Sequence, residues 1–108
     1  FWASWCEACK DESPAIERAY QRYKNRGFVV LGADVDDLTK DARVFIKRYG
    51  LTYPMVKYGS ANATKDFGTR YMPETFLIDR EGRIVALRRG EVDDEWLNEN
   101  IPPVVAQR

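Results

Sequence analysis

The chain contains no histidine. That removes Ser–His and Cys–His nucleophile–base pairs, and with them every imidazole metal ligand. Excess charge is missing too: 17 basic and 17 acidic residues cancel over 108 positions. Nothing in the composition therefore marks a nucleic-acid or anionic-membrane surface. No apolar run approaches the roughly 20 residues of a membrane-spanning helix. Cysteine is scarce, with only Cys6 and Cys9, so a zinc site would have to complete its four ligands with carboxylates. No metal and no cofactor is expected.

What is present fits one domain, residues 1–108, with 44% hydrophobic and 31% charged residues. A chain of this size buries roughly two-thirds of its unfolded surface. From about Cys9 to Arg26, Ile16, Ala19, Tyr20 and Tyr23 recur at helical spacing, and Gly27 stops the helix. Pro14 lies inside it and should bend the axis. "FVVLGADV" (28–35) predicts a buried strand. Thr39 is placed to cap a second helix whose apolar stripe is Ala42, Phe45, Ile46 and Tyr49. "YPMVKY" predicts a short extended piece, and "NATKDF" one or two helical turns ended by Gly68. "TFLID", "DREG" and "RIVALRRG" predict an antiparallel hairpin. A last helix, about Asp93 to Asn100, buries Trp96 and Leu97 and ends at "IPP".

This order predicts an α/β fold: a mixed sheet with helices on both faces. A parallel βαβ unit needs a strand ahead of the first helix, and only "FW" stands there. We therefore expect an N-terminal strand upstream of Phe1; without it, strand 28–35 loses a neighbour.

The motif "WCEAC" leaves several readings open: a redox couple, part of a metal site, a staple, or two core residues. A thiol just before a helix meets unpaired amides and the positive dipole end, which favour a thiolate. Such motifs lower a thiol pKa from about 8.5 into a range of roughly 3.5–7.5. "NAT" (62–64) fits an N-glycosylation pattern, which arises often by chance. Arg88 and Arg89 read as a solvated strand face.

Three separated stretches decide between these readings: "FWASWCEACKDESPAIE", "YKNRGFVVLGADVD" and "YMPETFLIDREGRIV". Together they resemble the thioredoxin superfamily, and more narrowly the TlpA/ResA-like, AhpC/TSA-related thiol–disulfide oxidoreductases of bacterial envelopes. The resemblance runs from Phe1 to about Trp96. It implies a thioredoxin-like three-layer α/β/α sandwich with its first strand truncated. It also implies a periplasmic or other extracytoplasmic location, with a membrane anchor upstream. Protein disulfides would be the substrates, apocytochrome c among them, and a membrane thiol the electron donor.

The same resemblance assigns roles. Cys6 is the exposed nucleophile and Cys9 the resolving thiol one turn inward. Pro73 is held in cis facing the cysteines, against the alternative of a trans proline starting an edge strand. Met72 offers its backbone to an extended substrate. Glu12, one helical turn after Cys9, is a partly buried carboxylate that raises thiol pKa and exchanges a proton with Cys9; the alternative is a solvated Glu on a polar face. Trp5 shields the site, Glu7 tunes the couple, and Ala8 departs from the proline usual in the family. The competing functions are a peroxiredoxin-like peroxide reductase and a thioredoxin-fold binding module without turnover.

Overall fold

The first two residues join what would otherwise be two separate sheets. In this computed structural model, which describes residues 1–106, β1 (Gly32–Val35) pairs in parallel with β2 (Met55–Tyr58). Separately, β3 (Glu74–Ile78) pairs antiparallel with β4 (Ile84–Arg89). Trp2 forms a parallel bridge to Asp34, its N–H donating to Ala33 O at 2.9 Å and its carbonyl accepting from Val35 N at 2.8 Å. Phe1 faces β3 instead, donating its amino group to Glu74 O at 2.8 Å. The expected mixed sheet is thus held across its middle by two extended residues, Phe1 and Trp2.

Strand periodicity sends the Phe1 and Trp2 rings to opposite faces. Phe1 makes edge contacts with Tyr58, Phe76 and Phe67 of α3 (Ser60–Phe67). Trp2 packs on Phe45 of α2 (Thr39–Arg48), with ring centroids 4.7 Å apart. Leu77, which alternates with Phe76, joins Ala15 and Ala19 of α1 (Glu7–Tyr23) and Leu97 and Ile101 of α4 (Asp94–Val105). Helices therefore cover both faces, giving the three layers expected. None of them is long and apolar enough to cross a membrane, among the described residues.

Several local expectations need correction. The strand predicted over 28–35 is regular only from Gly32 onward; Val29 and Leu31 stand exposed. Among the described residues no strand pairs with 28–31, so their backbone has no ladder there. Between this stretch and residues 75–79 of β3 lies an apolar cleft of about 460 Å³, with Phe1 and Trp2 in its lining. Thr39 does not cap α2: Leu38 occupies that position without a side-chain bond. Nor does "IPP" end the last helix. Pro102 and Pro103 lie inside α4, because burying Ile101 and packing Val104 and Val105 on the core offset two missing amide donors.

Other expectations hold. A single turn of 3-10 helix (Lys24–Arg26) follows α1, and Gly27 takes the left-handed conformation (φ 79°) that closes it. Asp93 caps α4 by accepting from Trp96 N at 2.8 Å. Asp79 organises the hairpin turn by accepting from Glu81 N and Arg83 N. Arg89, expected to be solvated, instead pairs with the fully buried Glu74 carboxylate and donates to Gly68 O. Within "NAT", the Thr64 hydroxyl is engaged in a bond to Thr69 O at 2.7 Å.

Candidate active site

Helix α1 starts because its cap is a sulfur. Cys6 has extended backbone angles, and its Sγ accepts the N–H of Cys9 at 3.2 Å. Ser, Thr, Asn or Asp ordinarily fills this position; here the nucleophile candidate itself satisfies an orphan helical amide. The two cysteines are joined in a disulfide, with Cα atoms 5.2 Å apart. This is the oxidised form of the couple. The bond sets aside the reading of two unconnected core residues.

Cys9 is fully enclosed, whereas Cys6 retains 7% exposure. The expected order of accessibility holds, but Cys6 is nearly buried rather than openly exposed. Ala8 and Met72 pack against the cluster that contains both cysteines. Trp5 is 59% exposed and shares a smaller pocket of about 340 Å³ with Met72, Tyr71, Arg70 and Thr69. The Met72–Pro73 peptide is cis, and Pro73 O accepts Gly90 N at 2.9 Å. Glu7 lies outside on the first turn, paired with Lys10 at 2.8 Å. Ala8 and Met72 thus border the cluster that holds the disulfide, Trp5 borders the pocket that it shares with Met72, and Glu7 faces solvent.

Glu12 is not the solvated residue that "KDES" suggests. It is 3% exposed, and its Oε1 accepts the N–H of Val92 at 3.1 Å from the segment leading into α4. Burial raises its pKa to about 7, against the pull of the Val92 bond. Tyr53 is also raised, by burial first and then by the charges of Glu12 and Glu17. A carboxylic acid with a pKa near neutrality, one turn below a buried thiol, can take or return a proton at working pH. The Val92 partner lies 80 residues away in sequence, and no motif announces it.

Sequence reading also missed the seat beneath the motif. Asp37 accepts both the N–H and the hydroxyl of Ser4, each at 2.7 Å. Trp5 Nε1 donates to Asp36 O at 3.2 Å. Asp36 itself sits at φ 47° and accepts Ser60 N at 3.2 Å, at the start of α3. The β1–α2 turn therefore grips the loop that delivers Cys6.

Known proteins share this arrangement. The family model described as AhpC/TSA family matches residues 1–87. Thiol-disulfide oxidoreductase ResA of Bacillus thuringiensis subsp. konkukian is 30% identical over 104 residues, covering 96% of this chain and 60% of that protein. The chain spans about 60% of the length of that curated relative. A candidate thiol:disulfide interchange protein DsbE from Chlorobium tepidum superposes with a TM-score of 0.89 at 30% identity, over 98% of this chain and 77% of the other. StoA from Bacillus subtilis superposes at 0.77 with 26% identity, over 92% and 76%. By sequence and by fold, the chain belongs to the AhpC/TSA family, in its TlpA/ResA-like group within the thioredoxin superfamily.

Proposed function

We propose that this chain is the reactive region of a thiol–disulfide oxidoreductase that reduces protein disulfides. The observation that carries the reading is the capping geometry: the sulfur that closes the disulfide also receives a helix amide. After reduction of the pair, that amide and the dipole end stabilise a Cys6 thiolate. The thiolate attacks one sulfur of a substrate disulfide, forming a mixed disulfide and releasing the other substrate sulfur as a thiolate. Cys9, deprotonated with Glu12 as the acceptor, then attacks the Cys6 sulfur. The second substrate sulfur leaves, the Cys6–Cys9 bond forms, and two electrons have passed to the substrate. A dithiol donor regenerates the reduced pair.

Exposed Trp5 and half-buried Met72, which line one pocket, supply the contact surface for an extended substrate segment. Apocytochrome c is one such substrate within the family resemblance, and a membrane thiol one such donor. An extracytoplasmic location follows from the same resemblance. The apolar cleft between residues 28–31 and β3 supports a further strand leading into Phe1, parallel to β1 and pairing with β3 on its other side.

The test is reduction of insulin by dithiothreitol with and without the protein. Acceleration that disappears in Cys6→Ser supports the reading. Absence of acceleration by the folded wild type would replace it with a binding module.

A further inference from the structure

Residues 68–73 carry the chain from α3 to β3, and Met72, part of the substrate contact surface, lies among them. One side chain of β4 holds both ends of this connection. Arg89 stands opposite Glu74 in the β3–β4 ladder and pairs with its Oε2. From the same Nη1 it donates to Gly68 O at 3.3 Å. Gly68 closes α3 and Glu74 opens β3. A single nitrogen therefore bonds to the residue where the connection starts and to the residue just past its end.

The bond to Glu74 resists parting. That carboxylate is fully buried, and its Oε1 has no hydrogen-bond partner among the described residues. Withdrawal of the guanidinium would leave a desolvated charge, so the pair persists although the Arg89 side chain is half exposed. Further bonds hold each end. At the start, Thr69 N donates to Ala63 O at 3.3 Å, and the Thr64 hydroxyl donates to Thr69 O at 2.7 Å. At the end, Gly90, the residue after Arg89, donates its N–H to Pro73 O at 2.9 Å. Arg70, Tyr71 and Met72 lie between these fixed ends. With Trp5 they line the pocket of about 340 Å³, and Tyr71 is 78% exposed.

We propose that Arg89 is a positioning residue for the substrate: by tying Gly68 to Glu74 it fixes the span of residues 69–73, and with it the place where Tyr71 and Met72 meet a protein disulfide. The inference rests on the thiol–disulfide reading for its consequence, and on the Gly68–Arg89–Glu74 contacts for its geometry. A protein substrate needs both the sulfurs and an ordered surface beside them. A small disulfide needs the sulfurs alone. Without Arg89 the ends of the connection can drift apart, so protein substrates bind less well while the exchange step at Cys6 is untouched.

The experiment compares reduction of insulin with reduction of bis(2-hydroxyethyl) disulfide in the wild type, Arg89→Met and Arg89→Lys. In Arg89→Met, KM for insulin should rise roughly fivefold with kcat within about twofold, and turnover of the small disulfide should stay near wild type. Arg89→Lys keeps a charged nitrogen with protons for both acceptors and should restore most of the insulin KM. An unchanged insulin KM in folded Arg89→Met overturns the proposal, as does an equal loss with both disulfides. If Arg89→Met does not fold, Glu74→Gln decides: it keeps the shape and removes the charge, and an unchanged insulin KM there overturns the proposal as well. Hydrogen exchange at the Thr69 and Gly90 amides reads the geometry without any activity, and should quicken roughly tenfold in the variant that raises KM. Unaltered exchange would remove the tie between the two ends. Failure of the wild type to speed insulin reduction, with exchange responding as expected, would instead remove the redox reading and leave the Arg89 tie standing.

Discussion

Glu12 and Val92, 80 residues apart, meet in a buried hydrogen bond of 3.1 Å between a carboxylate oxygen and a backbone amide. That contact ties the helix bearing both cysteines to the segment entering α4. It also keeps an ionisable group out of water, where its proton is retained to about pH 7.

Stability should therefore fall as pH rises across that group's window. The folded protein binds the Glu12 proton more tightly than the unfolded chain, whose value is near 4.5. Stabilisation is complete below pH 4.5 and declines until about pH 7, by at most about 3 kcal/mol. Glu12→Gln keeps an oxygen for Val92 and removes the titration. Urea unfolding across this range should give a shallower pH slope in the variant, and an unchanged slope would show that the Glu12 proton is not linked to folding. The same variant should slow release of a mixed disulfide by roughly tenfold or more, since one general base contributes at least that much.

Arg89 forms the ion pair with the buried Glu74 carboxylate. Glu74 is fully buried, with its Oε1 unpartnered and its Oε2 paired to Arg89. Arg89→Met should destabilise the protein by about 2 kcal/mol, because the remaining charge must be desolvated alone or protonated. Adding Glu74→Gln should recover part of the loss. Thermal melts of both single variants and the double variant measure the coupling, and strict additivity would mean the pair is not coupled.

Gly32 is required by close approach rather than by backbone angle. A Cβ there would overlap Met55 Sδ and stand 3.0 Å from Trp2 Nε1. Gly32→Ala should cost about 1–3 kcal/mol through forced movement of Met55 and Trp2. Chemical denaturation checks the size, and Trp2 fluorescence should shift if the ring is displaced.

Trp5 should matter to substrate and little to folding. It is largely exposed, and its one hydrogen bond goes to Asp36 O. In Trp5→Ala, the melting temperature should change by no more than a few degrees. KM for a protein disulfide should rise severalfold while kcat stays near wild type. An equal loss with a small dithiol substrate would place Trp5 in the chemistry instead.

Much of the fold was legible because local signals agreed. Helical spacing from Ile16 to Tyr23 located α1, and the Asp79 turn chemistry located the β3–β4 hairpin. What escaped had causes outside its own stretch of chain. Residues 28–31 look like strand, yet a strand exists only where a neighbour pairs with it. Pro102 and Pro103 look like a stop, but the core beneath Ile101 outweighs the lost amides. At the site, the spacing of Cys6, Cys9 and Glu12 carried the chemistry, while the Val92–Glu12 and Ser4–Asp37 bonds arise from tertiary contact. The position of Glu12 was legible; its burial was not.

The most direct measurement traps the reaction halfway. Cys9→Ser, reduced and mixed with a disulfide-containing protein, should accumulate a covalent adduct on Cys6 that mass spectrometry maps and dithiothreitol dissolves. Cys6→Ser should form none. An adduct on Cys9 in the second variant, or none on Cys6 in the first while it remains folded, would contradict the assignment of nucleophile and resolving thiol.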